Sequence, residues 1–111
     1  MHVTGTAAAS VNNSIGVAGV GYKCKFLPVK IADATGALIA AYDGIVYAAD
    51  HGANIINCSW GGGSNGSYGQ NIINYATINK NALVVAAAGN DGIEKDGYPA
   101  SYDYVLSVAN T

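Results

Sequence analysis

The sequence contains no arginine, and its five lysines, at 23, 25, 30, 80 and 95, are scattered along a chain of net charge −2. A face that tracks phosphates is therefore unsupported, and no nucleic-acid partner is expected. Charged side chains make up only 11% of the 111 residues, while 50% are hydrophobic, which excludes a disordered chain. So few charges, together with fifteen glycines, look like the interior of something larger. No apolar run approaches the ~20 residues of a membrane span, so no membrane partner is expected. The N-terminus lacks the charged and apolar regions of a signal peptide. Cysteine is also sparse: Cys24 and Cys58 have no CxxC spacing, and Cys58 lies in an apolar strand pattern that reads as a buried free thiol. Cysteine usage leaves the compartment open.

What is present fits one small domain with a single core. Residues 3–10 are small and alanine-rich and suit a tightly packed helix end, and 11–22 read as a loop. Phe26 to Ile31 predicts a short strand, with Pro28 favouring an edge or a gap in pairing. Leu38, Ala41, Tyr42, Ile45, Val46 and Ala49 recur at helical spacing, and Gly52 stands where a helix C′ residue belongs. Ile55 to Cys58 is the next strand. Ser67 is placed to cap a helix over 68–79 that turns Ile72, Ile73 and Ala76 inward, and Asn81 to take the left-handed position after it. Leu83 to Ala88 and Tyr104 to Ala109 are strands, separated by a polar loop over 89–103. Strands alternating with helices predict an α/β fold with a parallel sheet.

Two apolar strands end abruptly in small and polar residues. Ala86-Ala87-Ala88-Gly89-Asn90 ends one, and Ile56-Asn57-Cys58-Ser59-Trp60-Gly61-Gly62-Gly63 ends the other. Both deliver these groups to one edge of the sheet, where open α/β folds keep their ligand sites. The Asn90 amide there can donate a hydrogen bond to charge developing on a substrate oxygen. The plainer alternatives are a left-handed turn asparagine at Asn90 and a core tryptophan at Trp60 beside a flexible glycine loop.

These segments, taken in order, resemble the subtilisin-like serine proteases. His2-Val3-Thr4-Gly5-Thr6-Ala7-Ala8-Ala9 resembles the end of the family's H-G-T-H-V-A-G-T-x-A-A helix, and Val11 to Val17 resembles its calcium-binding loop. Phe26 to Ile31 is similar to the strand after that loop. Ile56 to Gly62 resembles I-N-x-S-L-G-G, Ala86 to Asn90 resembles A-A-A-G-N, and Tyr98-Pro99-Ala100 resembles Y-P-A. The resemblance implies a three-layer, doubly wound parallel sheet, with residues 1–111 forming the central part of a peptidase domain truncated at both ends.

The resemblance also assigns residues. Asn90 matches the oxyanion-hole asparagine. Ser59, Trp60 and Gly61 match the segment that binds substrate backbone as an added strand, and Ala88 and Gly89 match the opposite wall of the primary pocket. Trp60 replaces the family's usual leucine. Asn13 and the carbonyls of Val11, Ile15 and Val17 match calcium ligands, so a structural calcium is allowed although no cofactor is needed for the chemistry. His2 matches the second, structural histidine of the helix motif, so the catalytic histidine would precede Met1. Asp33-Ala34-Thr35-Gly36 matches a loop rather than the aspartate motif, and no Gly-Thr-Ser occurs. The resemblance thus implies a serine endopeptidase as parent, with peptide or protein substrates and an extracellular location. This piece is expected to contribute the substrate strand and oxyanion hole and to be inactive alone.

In the family the strand bearing the aspartate lies between those matching 26–31 and 54–58. Here these two either pair directly, or a second copy fills the open edge and gives a homo-oligomer. The competing functional class is a non-catalytic peptide-binding or oligomerising module. A nucleotide-binding reading fails on pattern: Gly16, Gly19 and Gly21 run in the reverse of the dinucleotide order, and Gly61 to Gly66 lacks a following Lys-Ser/Thr pair. His51 reads as a helix-terminal residue, and Asp91, Glu94, Asp96 and Asp103 as a solvated face.

Overall fold

The computed structural model describes residues 2–109. In chain order these form α1 (His2–Ala8), α2 (Ala41–Asp50), β1 (Ile55–Cys58), α3 (Ser67–Asn74), a π-helical turn (Tyr75–Asn79), β2 (Leu83–Ala87) and β3 (Val105–Val108). The strands make one parallel sheet in the order β1-β2-β3, with Ile56 opposite Val84 and Val84 opposite Val105. Alternation along β1 and β2 buries Ile56, Cys58, Val84 and Ala86 under α2, α3 and the π turn. The other face carries Ile55 (65% exposed), Leu83 and Leu106, so the helices packed on the sheet lie on one side. Among the described residues, all the buried hydrophobic side chains come from residues 45–102, and α1 contributes none.

The end of α2 follows from glycine chemistry. Gly52 adopts φ +78°, its N–H donates to the Ala49 carbonyl, and the Ala53 N–H donates to the Ala48 carbonyl. These are the paired bonds of a Schellman cap, with Gly52 at C′ as its position predicts. Asn81 likewise takes φ +56° after the π turn that ends α3. The first turn of α3 departs from expectation: Gly66, extended at φ −160°, ψ 140°, is the N-cap, and Ser67 is already helical with no capping hydrogen bond. The helix also changes pitch. Thr77 Oγ1 donates to the Ile73 carbonyl (2.7 Å), a back-bond that perturbs the ladder, and the chain widens to the π turn over 75–79. That turn is tied to the end of α2 through Asp50, which accepts from Tyr75 Oη at 2.6 Å and pairs with Lys80 Nζ at 2.8 Å. Lys80, then Tyr75, hold the Asp50 carboxyl below the usual carboxylate range.

Phe26 to Ile31 is not a strand. A strand needs a ladder partner, and this segment pairs neither with β1 nor with any other strand among the described residues. Pro28 brings no N–H, and the Ile31 carbonyl is taken by the N–H groups of Ile39 and Ala40 at 3.0 and 3.1 Å. Val29 and Ile31 instead press on α2 at Gly44, where Val29 Cγ1 lies 3.4 Å from the site of an added Cβ. Leu38 stands before α2 and bridges Ala32. The direct pairing of 26–31 with 54–58 is therefore not realised, and among the described residues no strand pairs with the outer edge of β1. The segment over 89–103 is not uniformly polar either: Tyr98, Pro99, Ala100 and Tyr102 are buried, and the Tyr98 and Tyr102 rings pack tilted at 51° with centroids 4.5 Å apart.

Cys58 is a free thiol, 2% exposed, and burial pushes it up to about 12; Cys24 is free and exposed. Because the unfolded thiol ionises near 8.5–9, the folded state binds the extra proton above that pH, and this contribution to stability falls as pH rises toward 12. A thiol reagent at mildly alkaline pH is expected to modify Cys24 rapidly and Cys58 only on unfolding, read as one adduct against two by mass spectrometry. Two adducts formed at equal rates in the native state would contradict this burial.

Candidate active site

At the carboxyl ends of β1 and β2 the backbone opens into a cleft of about 730 Å³. Ser59, Trp60, Gly61, Gly62 and Gly63 form one wall, and Ala87, Ala88, Gly89 and Asn90 form the other. Asp91, Gly92, Ile93, Lys95, Asp96 and Gly97 of the following loop, with Ala109, complete it. The six residues picked out at the strand ends, Ser59, Trp60, Gly61, Ala88, Gly89 and Asn90, thus line a single cavity at the edge where parallel sheets present ligand sites.

Backbone geometry explains the glycines at its rims. Gly89 takes φ +109° and Gly62 φ +128°, which side chains on L residues rarely adopt. The turn at Gly89 lets Asn90 follow β2 without itself entering the left-handed region, so the left-handed turn asparagine does not occur here. Asn90 is exposed, and among the described residues its amide has no hydrogen-bond partner. The Gly62 N–H donates to the Tyr98 carbonyl (3.0 Å), which ties the glycine strand to the buried tyrosine segment. The Ala88 N–H donates to the Val108 carbonyl (2.9 Å), extending the sheet past β2.

Trp60 is half-buried, with its ring edge-to-face against Tyr42 at 5.4 Å. It neither sits wholly in the core nor floats beside a loose loop. It forms the ridge between the cleft and a second hollow of about 490 Å³, lined by Leu38, Ile39, Tyr42, Gly61 and Tyr68 among others. Burial and the neighbouring Tyr102 raise the Tyr42 phenol well above its ordinary value, so it is neutral at physiological pH. Tyr42 was not singled out from the sequence, where it reads only as a core position of a helix. The carbonyl of Tyr98 was also missed, although its Y-P-A context offered a signal.

Among the described residues, no histidine stands beside Ser59 in the cleft. Ser59 Oγ accepts from Asn57 Nδ2 at 2.8 Å, and neither histidine lines the cavity. His51 caps α2, with Nδ1 2.8 Å from the Tyr47 carbonyl and its ring stacked on Tyr47 at 3.9 Å. His2 is exposed at the start of α1. Asp33 Oδ1 accepts from the Thr35 hydroxyl and from the N–H groups of Thr35 and Ala37, closing a local turn, and the Thr35 hydroxyl bond leads in lowering its pKa. In the 11–17 loop Asn13 Oδ1 accepts from the Ile15 N–H (3.1 Å), while Asn12, Ser14 and Gly16 take positive φ. Val11, Asn13, Ile15 and Val17 offer oxygen donors but no carboxylate. Four such oxygens fall short of the six to eight calcium takes, so the loop alone does not complete a calcium shell.

A parallel sheet with glycine-bordered strand ends and a cleft at their carboxyl edge defines the class: an open α/β fold with its site at the strand ends. The family model of the subtilase family matches residues 1–111, and the chain belongs to that family. It is 46% identical to thermitase of Thermoactinomyces vulgaris over 99% of this chain and 40% of that protein. It is 44% identical to the thermophilic serine proteinase of Bacillus sp. strain AK1 over 96% of this chain and 27% of that protein. Among solved structures, sphericase superimposes with a TM-score of 0.82 at 31% identity, covering 96% of this chain and 37% of sphericase. The psychrophilic subtilisin-like protease Apa1 from an Antarctic Pseudoalteromonas gives 0.82 at 37% identity, over 96% and 25%. The fold is therefore the subtilisin-like α/β fold, and the chain spans two-fifths or less of these relatives.

Proposed function

We propose that this chain forms the substrate-binding part of a serine endopeptidase and supplies its oxyanion hole. The observation that carries this reading is the convergence of Ser59, Trp60, Gly61, Ala88, Gly89 and Asn90 on one cleft. A peptide laid along Trp60–Gly63 adds a strand through its backbone and drops one side chain into the cavity. The Asn90 amide then donates to the scissile carbonyl oxygen, which gains negative charge as a nucleophile adds to the carbonyl carbon. A donor already in place needs no reorganisation at that moment.

The residues of this chain do not supply the attacking group. The nucleophile, the base that takes its proton and the carboxylate that orients the base act as a unit, and neither histidine here lines the cleft. The 111-residue chain is expected to bind peptide and leave it intact. An extracellular setting is part of the proposal and is supported by kinship with the cell wall-associated protease of Bacillus subtilis, 44% identical over 99% of this chain.

The test pairs a fluorophosphonate probe with a peptide titration followed through Trp60, the single tryptophan. The expected result is no covalent label, no cleavage, and a saturable change in tryptophan emission. Labelling mapped to Ser59 or another serine would reveal a nucleophile this reading denies. A specific observation also favours oligomerisation: among the described residues no strand pairs with the outer edge of β1, and the adjoining face carries Ile55 and Leu83. A monomer by light scattering across the working concentration range would remove that second reading.

A further inference from the structure

We propose that Asp96 gives the cleft a charge preference, favouring a substrate residue whose aliphatic stem ends in a cation, lysine or arginine. The inference rests on the reading of the cleft as a peptide site and names the side chain it takes. The walls are apolar at Trp60, Ala88 and Ile93, and its charged residues are Asp91, Lys95 and Asp96. Lys95 Nζ stands 3.4 Å from Asp91 Oδ2, so those two charges offset each other. Asp96 has no ion-pair partner among the described residues. The other four lysines do not line the cavity, and the chain has no arginine. The cleft therefore holds one uncompensated negative charge beside apolar walls.

The backbone beside it is tied down. Gly97, the next residue, donates its N–H to Ser101 Oγ at 3.1 Å and accepts at its carbonyl from the Ser101 N–H at 2.8 Å. The field of Asp96 reaches Tyr98, adding to burial in raising that phenol, and the Tyr98 carbonyl holds Gly62 on the peptide-facing strand. A lysine or arginine stem packs on apolar surface while its head stays at the polar rim. A glutamate entering the same space brings like charge to Asp96 and loses its hydration. A cleft of net negative charge also concentrates cations more than an open surface does.

The experiment titrates the 111-residue chain, by Trp60 emission, with three short peptides that differ only in a central lysine, norleucine or glutamate. At about 20 mM salt the lysine peptide is expected to bind roughly tenfold tighter than the glutamate peptide, and at about 500 mM the ratio falls to about two. Asp96→Asn is expected to bring the low-salt ratio to about two as well. Lys95→Gln, which frees Asp91, is expected to raise it two- to threefold, by about the worth of one exposed charge pair. Both positions are exposed, so neither change threatens folding. Equal binding of all three peptides overturns the charge preference and leaves the peptide site standing. A lysine preference that survives Asp96→Asn overturns the assignment to Asp96. Failure of every peptide to bind overturns the inference together with the reading beneath it.

Discussion

Asn90→Ala is expected to lower kcat by about 10²–10³ with little change in KM, in an active chimera where residues 1–111 replace the matching part of thermitase. That range comes from removing an asparagine donor in a subtilisin, a relative of this chain. The direction follows from where the amide is proposed to act. A ground-state carbonyl carries only partial charge, so losing one donor there hardly weakens binding. The tetrahedral oxyanion carries nearly a full charge, and a preorganised donor stabilises it by about 3–4 kcal/mol once bound substrate has displaced water. A fall in kcat with KM held marks an interaction made chiefly in the transition state. Asn90 is suited to this because its amide has no protein partner among the described residues and the bend of the chain falls on Gly89. A chimera whose kcat is indifferent to Asn90→Ala, or in which only KM rises, would remove the oxyanion role.

Local chemistry made much of this architecture legible. Ile55–Cys58 lies between Asn54 and Ser59, Leu83–Ala87 has Asn81 and Gly89 one residue beyond its ends, and both are strands. Gly52 and Asn81 mark helix ends because only residues tolerant of positive φ fit there. What local pattern could not decide was pairing. Phe26 to Ile31 has strand composition, but strand structure belongs to two segments, and its neighbour in space is α2 rather than the sheet. Ser67 suits an N-cap as well as a first helical turn, and the extended geometry at Gly66 settles which it is. The same limit divides the cleft. Its strand-end residues could be read by position, because the ends of parallel strands must meet at one edge. Asp96 and Ile93 enter only because the loop after Asn90 folds back, a consequence of burying Tyr98 and Tyr102 far along the chain.

Gly69→Ala is expected to destabilise the domain by about 1–3 kcal/mol, although alanine is the better helix former by about 1 kcal/mol. Gly69 lies in α3, and a Cβ there would stand 2.6 Å from Tyr102 Cζ and 2.7 Å from Cε2. A mobile tyrosine could swing away at small cost, but this one is 6% exposed and held on several sides. Its hydroxyl donates to the Gly66 carbonyl at 3.2 Å, Tyr98 packs on its ring at 4.5 Å, and Tyr42 stands edge-on at 6.4 Å. The glycine and the tyrosine are therefore fitted to one another, and a double-mutant cycle separates that fit from helix propensity. Tyr102→Ala alone is expected to cost about 3–5 kcal/mol, since it empties a buried aromatic site. On that background the clash is gone, and Gly69→Ala should become neutral or stabilising by up to about 1 kcal/mol. The sign of one substitution thus reverses with the presence of a ring 33 residues away, measurable as urea midpoints for the four chains. If Gly69→Ala destabilises both backgrounds equally, the close approach of α3 to Tyr102 is not what requires the glycine.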